Sequence, residues 1–236
     1  PTDEERAATE RAEAELDALY DDIPFGLPTE PMPDEDALGM RIPKYGFDQW
    51  HTLFTPRQLL ALGTFVKHMR RVENAMESHS YTSDWQEAMR AFLSSAFDRM
   101  LDFNASILAW TSSVEAIGHV FVRYALPMKW DFAEAAMPND VRGGYSTCVD
   151  KACNSIQTIQ RATDSAHPVP NVKRGSATQM EEEGYDAIVT DPPYYDAIPY
   201  SDAMDFFYVW LRRSLHGLSD EIDDVFSEPL APKWDH

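Results

Sequence analysis

The chain has 236 residues, 44% of them hydrophobic and 12% aromatic, and its 40 Asp and Glu against 20 Lys and Arg leave a net charge of −20. That composition excludes a disordered chain, and no apolar run is long enough to span a bilayer. So large an acidic excess also excludes capture of nucleic acid by net charge at low salt.

Two readings fit the acid. One is an acidic cytoplasmic protein kept soluble by repulsion. The other is halophilic adaptation, since molar salt screens long-range repulsion within a few ångströms. The amino end is acidic and alanine-rich and carries no secretory signal. A first residue of Pro1 reads as a processed or trimmed end, or as a fragment of something longer. Cys148 and Cys153 match neither C-x-x-C nor a zinc ribbon and read as two reduced thiols on or near a helix face. The seven His residues show no ligand spacing, so no metal is expected.

In chain order, residues 3–19 read as a charged helix with a thin apolar stripe. Asp21 to Pro43 holds five prolines and several acids and little periodicity. It reads as an extended connector that packs on a partner surface or stays mobile. Thr55-Pro56-Arg57-Gln58 has a cap residue, Pro at the first helical position and Gln three after the cap. A helix to about Glu77 should follow, with Leu59, Leu62, Val66 and Met69 on one face. Ser83-Asp84-Trp85-Gln86 repeats the capping signature. Behind it Trp85, Ala88, Met89, Phe92, Leu93, Ala96, Phe97 and Met100 form a helical stripe that reads as core.

Residues 104–126 read as continuing helix. Pro127 to Phe132 breaks that pattern, and Pro138 to Tyr145 is loop. Thr147 with Asp150 should cap a helix carrying Val149, Ala152, Cys153, Ile156 and Ile159. Val169 to Val172 is a short strand candidate, and Arg174 to Ala177 a turn. Asp186 to Thr190 reads as a second strand, buried and parallel. Asp202 to Leu215 reads as a helix, and Val225-Phe226 as the start of a last short element.

The chemistry gathers at Asp191-Pro192-Pro193-Tyr194, placed between that second strand and the helix. Strand, turn, helix is how an α/β protein presents a loop at the carboxyl end of a strand. Two prolines fix two φ angles and remove two amide donors, leaving carbonyls free to accept. Asp191 adds a carboxylate and Tyr194 a flat ring. Acceptors beside an aromatic face suit an exocyclic amino group on a planar base. Asp191 and the Pro192 carbonyl can take its two N–H groups while Tyr194 stacks on the ring. A base in a duplex must be flipped out to reach such a site. The electrophile implied is the methyl group of S-adenosylmethionine, and the work is positioning and desolvation. The plainer reading is a proline-stiffened turn after a strand.

Asp186-Ala-Ile-Val-Thr-Asp-Pro-Pro-Tyr-Tyr-Asp196, then Pro199-Tyr-Ser-Asp202 and Asp205 to Arg213, resembles the large adenine-specific DNA methylases of bacteria and archaea that carry a zinc ribbon and an amino-terminal domain of unknown function. Leu53 to Gly63, Leu126 to Glu134 and Gly175-Ser176-Ala177 are similar to the central region of that family. The resemblance implies an α/β fold: part of a class I, Rossmann-like methyltransferase sheet, with a large helical region before it. The corresponding division is an acidic helix and connector (1–43), a mainly helical region (44–145) and the methyltransferase part (146–236). It implies S-adenosylmethionine as donor and adenine N6 in DNA as acceptor. Asp191, Pro192 and Tyr194 then carry the amino-group and stacking roles, and Pro193 shapes the loop. Gly175, Ser176, Ala177 and Asp191 lie by the cofactor.

Tyr195 and Tyr200 can extend the base platform, whereas Tyr208 reads as packing. Arg212-Arg213 could meet phosphate or simply favour a helix carboxyl end. The family's Phe-x-Gly-x-Gly cofactor turn and zinc ribbon have no counterpart in these residues. The chain therefore reads as the carboxyl-terminal part of a larger methylase, or one subunit of a split one. Its partners are then DNA and the missing amino-terminal segment or partner subunit, with no membrane. An RNA or glutamine acceptor, or a binding and assembly module without catalysis, remain as the other readings.

Overall fold

A computed structural model describes residues 2–34, 37, 39–122, 125–130, 132–164, 170–173, 175–179, 184–194 and 198–232. Helix α1 (Asp3–Tyr20) opens on a capping box: Thr2 accepts from the Glu5 N–H and the Glu5 carboxylate accepts from the Thr2 N–H. Helix α2 (Pro56–Met69) opens on the capping box expected at Thr55 and Gln58. It ends at Arg70, earlier than the expected Glu77, and the short α3 (Val72–Glu77) completes the stretch. Helix α1 lies against α2 because Gly63 has no side chain. A Cβ there would come within 2.8 Å of Leu19 and 2.9 Å of the Tyr20 ring. The Tyr20 hydroxyl then reaches the Leu59 carbonyl at 2.9 Å.

The connector packs on this chain's own helices. Ile23, Met32, Met40 and Ile42 are buried in this chain's own core. Its prolines rule out regular structure, but its spaced apolar residues still drive it onto the helices. Helix α4 (Ser83–Leu101) starts one residue earlier than expected, with Thr82 at the cap position and Ser83 already helical. Only the carboxyl-terminal part of its expected stripe is core: Ala96, Phe97 and Met100 are buried, while Trp85, Met89 and Phe92 are exposed.

The expected helix over 104–126 is absent from the described residues. A two-stranded antiparallel hairpin, β1 (Trp110–Thr111) and β2 (Ala116–Ile117), stands there with irregular chain around it. Thr111-Ser112-Ser113 favours a turn over a helix interior. Val114, Ile117, Val120 and Val122 are β-branched and suit extended backbone. Helix α5 (Tyr145–Thr163) is capped by Gly144, not Thr147, whose hydroxyl bonds the Val141 carbonyl instead. Both cysteines sit on α5 and are free, Cys148 buried and Cys153 exposed.

Helix α6 (Tyr200–Leu215) contains the expected pattern and starts slightly before it. Helix α7 (Asp220–Val225) ends where the last element was expected to begin. One apolar cluster runs from Tyr20 to Trp210 and joins α1, the connector, α2, α4 and α6. At its centre Phe206 and Trp210 of α6 pack on Trp50, Phe54, Phe97 and Phe121.

The chain is thus largely helical with a small sheet. Neither expected strand of the carboxyl-terminal part is formed among the described residues. Residues 170–173 are irregular and exposed, and 186–190 are irregular and exposed throughout. Ile188 is 64% and Val189 96% exposed, the reverse of a buried parallel strand. A strand needs neighbours for its N–H and C=O groups, and the described hairpin offers this segment none.

Candidate functional site

Helix α6 is the fixed point behind the Asp-Pro-Pro-Tyr turn. Its last carbonyls, which lack intrahelical partners, are taken up by side chains. Arg90 of α4 donates to the Ser214 carbonyl at 2.8 Å and the His216 carbonyl at 2.7 Å. Arg70 donates to the Arg213 and His216 carbonyls at 3.1 and 2.8 Å. Arg90 also pairs with Glu73.

Arg213 points the other way, into the connector. It is almost fully buried and pairs through both terminal nitrogens with Glu30 at 2.9 Å. It also donates to the carbonyls of Phe25, Gly26 and Leu27. Burial lowers the pKa of this guanidinium, while the Glu30 carboxylate opposes that shift. Arg212 lies over the Phe25 ring at 3.6 Å and donates to the Phe226 carbonyl. Neither phosphate capture nor a simple helix-end role accounts for this pair, since both arginines tie α6 to other parts of the chain. Tyr208 is packing: it is buried, and its hydroxyl donates to the Val225 and Glu228 carbonyls.

Ahead of that anchored helix the turn stands open. Asp191, Pro192, Pro193 and Tyr194 are all exposed, Tyr194 by 66%. From Gly184 to Tyr194 no backbone or side-chain hydrogen bond or ion pair is formed with any described residue. Among the described residues nothing takes up the Asp191 carboxylate or the carbonyls of the two prolines. Tyr195 lies outside the described residues. Tyr200 is the first residue of α6 and is exposed, and its N–H donates to the Ile198 carbonyl. Asp202 sits in the first turn of α6, where a carboxylate favours the helix amino end. Asp205 is fully buried and accepts from the Ala231 N–H at 2.9 Å.

Gly175, Ser176 and Ala177 lead into a 3-10 turn, Ala177–Gln179. The hydroxyls of Ser176 and Thr178 are 2.8 Å apart, and Gly175 faces open space. No hydrogen bond or ion pair joins these residues to the 191–194 turn among the described residues. The grooves of the helical body lie elsewhere. One of about 510 Å³ is lined by Leu60, Phe65, Met69, Val72 and Tyr145, among others, and shares no residue with either segment. Among the described residues no three His, Cys, Asp or Glu side chains gather as a metal site.

The anchoring residues Arg90, Glu30 and Arg70 were not evident from sequence. Arg90 did carry a signal: it stands in register with Ser94, Phe97 and Leu101, a cation on an apolar helix face. Glu30 had none, being one acid among many in an aperiodic stretch. No family model, curated protein or solved structure matches the chain.

Proposed function

We propose that this chain is the acceptor half of an S-adenosylmethionine-dependent DNA methyltransferase acting on the N6 amino group of a flipped adenine. The observation behind this reading is the Asp191-Pro192-Pro193-Tyr194 turn, open to solvent just before a helix anchored by buried arginines. Asp191 and the Pro192 carbonyl accept the two amino hydrogens. Those bonds strengthen as positive charge develops on nitrogen in the transition state. Tyr194 stacks on the flipped ring, and Tyr195 and Tyr200 extend that platform.

S-adenosylmethionine would supply the methyl group. Gly175, Ser176, Ala177 and Asp191 do not form a cradle for it by themselves: Gly175 faces open space and the Ser176 hydroxyl is engaged by Thr178. We infer that the donor's wall belongs to another polypeptide segment, either the missing amino-terminal methyltransferase segment or a partner subunit. In that assembly residues 186–190 become a strand of a class I, Rossmann-like sheet. A cytoplasmic location and, for so acidic a surface, a high-salt setting go with this reading.

The test is Asp191→Ala in the assembled enzyme, with labelled methyl groups followed into duplex DNA, structured RNA and protein. The expected outcome is transfer to DNA by wild type and none by the variant. Unchanged transfer in the variant overturns the assignment, and label in RNA or protein moves the acceptor class. No binding of S-adenosylmethionine under any condition, read by calorimetry, makes the chain a non-catalytic module.

A further inference from the structure

Helix α4 is core on one side and open on the other. Arg90, Ser94, Phe97 and Leu101 are buried along one face. Away from that face Trp85 is 61%, Met89 39% and Phe92 41% exposed, although α5 packs beside this helix. These three large apolar side chains stand at i, i+4 and i+7, so they share one side of the helix. Small residues accompany them: Ala91 and Ser95 are exposed and Ala88 is half-buried. The Ser95 hydroxyl donates to the Ala91 carbonyl at 3.1 Å, so the strip presents no unpaired hydroxyl donor. Large side chains beside small ones are what a second helix packs against, ridge into groove.

The charges on this face have an order. With about 100° of turn per residue, Asp84, Ala88, Ser95 and Arg99 fall within about 60° of one another around the helix. Glu87, one residue before Ala88, is turned about 100° away from it. Asp84 stands at the amino end of the stripe and Arg99 at the carboxyl end, about 22 Å apart. The Asp84 carboxylate accepts from the neighbouring Ser83 hydroxyl at 3.4 Å, and the Arg99 guanidinium lies 5.7 Å from the Phe103 ring centroid. Neither forms an ion pair among the described residues. The midpoint of the stripe falls between Ala91 and Phe92. Reversing the helix about that point carries Asp84 onto Arg99, Ala88 onto Ser95 and Phe92 onto Ala91. A surface that is its own complement under reversal is what a two-fold interface requires. An unrelated partner needs no such symmetry, and a parallel pairing of two copies would set like charges together.

We propose that this face docks a second copy of the chain, α4 against α4 in antiparallel, with the two-fold axis at Ala91–Phe92. Trp85, Met89 and Phe92 of each copy fill the seam over the small residues of the other. Asp84 of each copy meets the partner subunit's Arg99, closing both ends. A shallow crossing of about 20° keeps those ends together. The face shares no residue with the 191–194 turn and does not rest on the methyl-transfer reading.

The test is sedimentation equilibrium of this chain over a concentration series in about 0.15 M salt, where repulsion between two chains of net charge −20 is screened beyond about 8 Å. A reversible monomer–dimer equilibrium is expected. Phe92→Asp places a charge at the axis and should leave monomer alone, with circular dichroism and the denaturation midpoint unmoved because the site is exposed. Asp84→Arg and Arg99→Asp should each weaken the dimer roughly 10-fold, the scale of two exposed ion pairs. The double variant should regain wild-type affinity, and the two single variants mixed together should form a heterodimer tighter than either alone. Monomer at every concentration, even if the face takes up a different protein, overturns the proposal. So does a dimer indifferent to Phe92→Asp, or a double variant no tighter than the singles. Asp191→Ala should leave the dimer intact, so failure of methyl transfer and failure of this interface are separate results.

Discussion

The helical body and the 184–194 segment follow opposite rules. In the body, the two buried arginines are sealed inside and satisfied: Arg213 with Glu30 and three connector carbonyls, Arg90 with Glu73 and the end of α6. In the segment, two aliphatic side chains and the whole Asp-Pro-Pro-Tyr turn face water, with no hydrogen-bond or ion-pair partner among the described residues. The body is stabilised by its own contacts. The segment that carries the candidate chemistry contributes almost nothing to that stability and is left free to contact something else. Stability and function should therefore respond to different substitutions.

The largest expected effect is on the body. Arg213→Ala leaves the buried Glu30 with only the more distant Arg212 beside it, at 3.6 Å, and should cost about 3–5 kcal/mol, read by urea denaturation. A loss under 1 kcal/mol would mean that α6 is not held by this pair and would blur the contrast. On the other side, Tyr194→Ala should cost about 1–3 kcal/mol of base stacking. That loss should show in the methylation kinetics of the assembled enzyme, with the denaturation midpoint unmoved. Thr55→Ala removes one half of a capping box and should cost about 1 kcal/mol, again in the body alone. The smallest effect separates the regions best. Val189→Asp places a charge on an already exposed site and should change the stability of this chain by less than about 0.5 kcal/mol. Larger destabilisation would show that residues 186–190 belong to the body's own core. In the assembled enzyme the same substitution should disrupt assembly, measured by co-sedimentation.

Local signals were legible where the chain itself closes the interaction. Thr55-Pro56-Arg57-Gln58 satisfies its own first-turn donors, so the cap could be read from four letters. The apolar spacing of α6 needed only a core to face, and Phe206, Val209 and Trp210 found one. The stripe of α4 was partly legible: periodicity selects a face but not how far the neighbouring elements cover it, and they stop short of Trp85. The helix expected over 104–126 failed because its apolar residues were read without the turn-forming Thr111-Ser112-Ser113 between them. At the candidate site the tetrapeptide was visible at once, while its setting was not. The run 186–190 has strand composition, and a strand forms only against a neighbour.

By itself the sequence determined the capped start of α2, the absence of a membrane-length apolar run, and the chemical content of the Asp-Pro-Pro-Tyr turn. These depend on groups within a few residues of one another. Tertiary structure alone decided that the connector is core and that Arg213 is a buried bolt rather than a phosphate ligand. It also left residues 186–190 exposed. Each of these depends on which distant groups meet or fail to meet, and burial and pairing between distant groups are not written in local spacing.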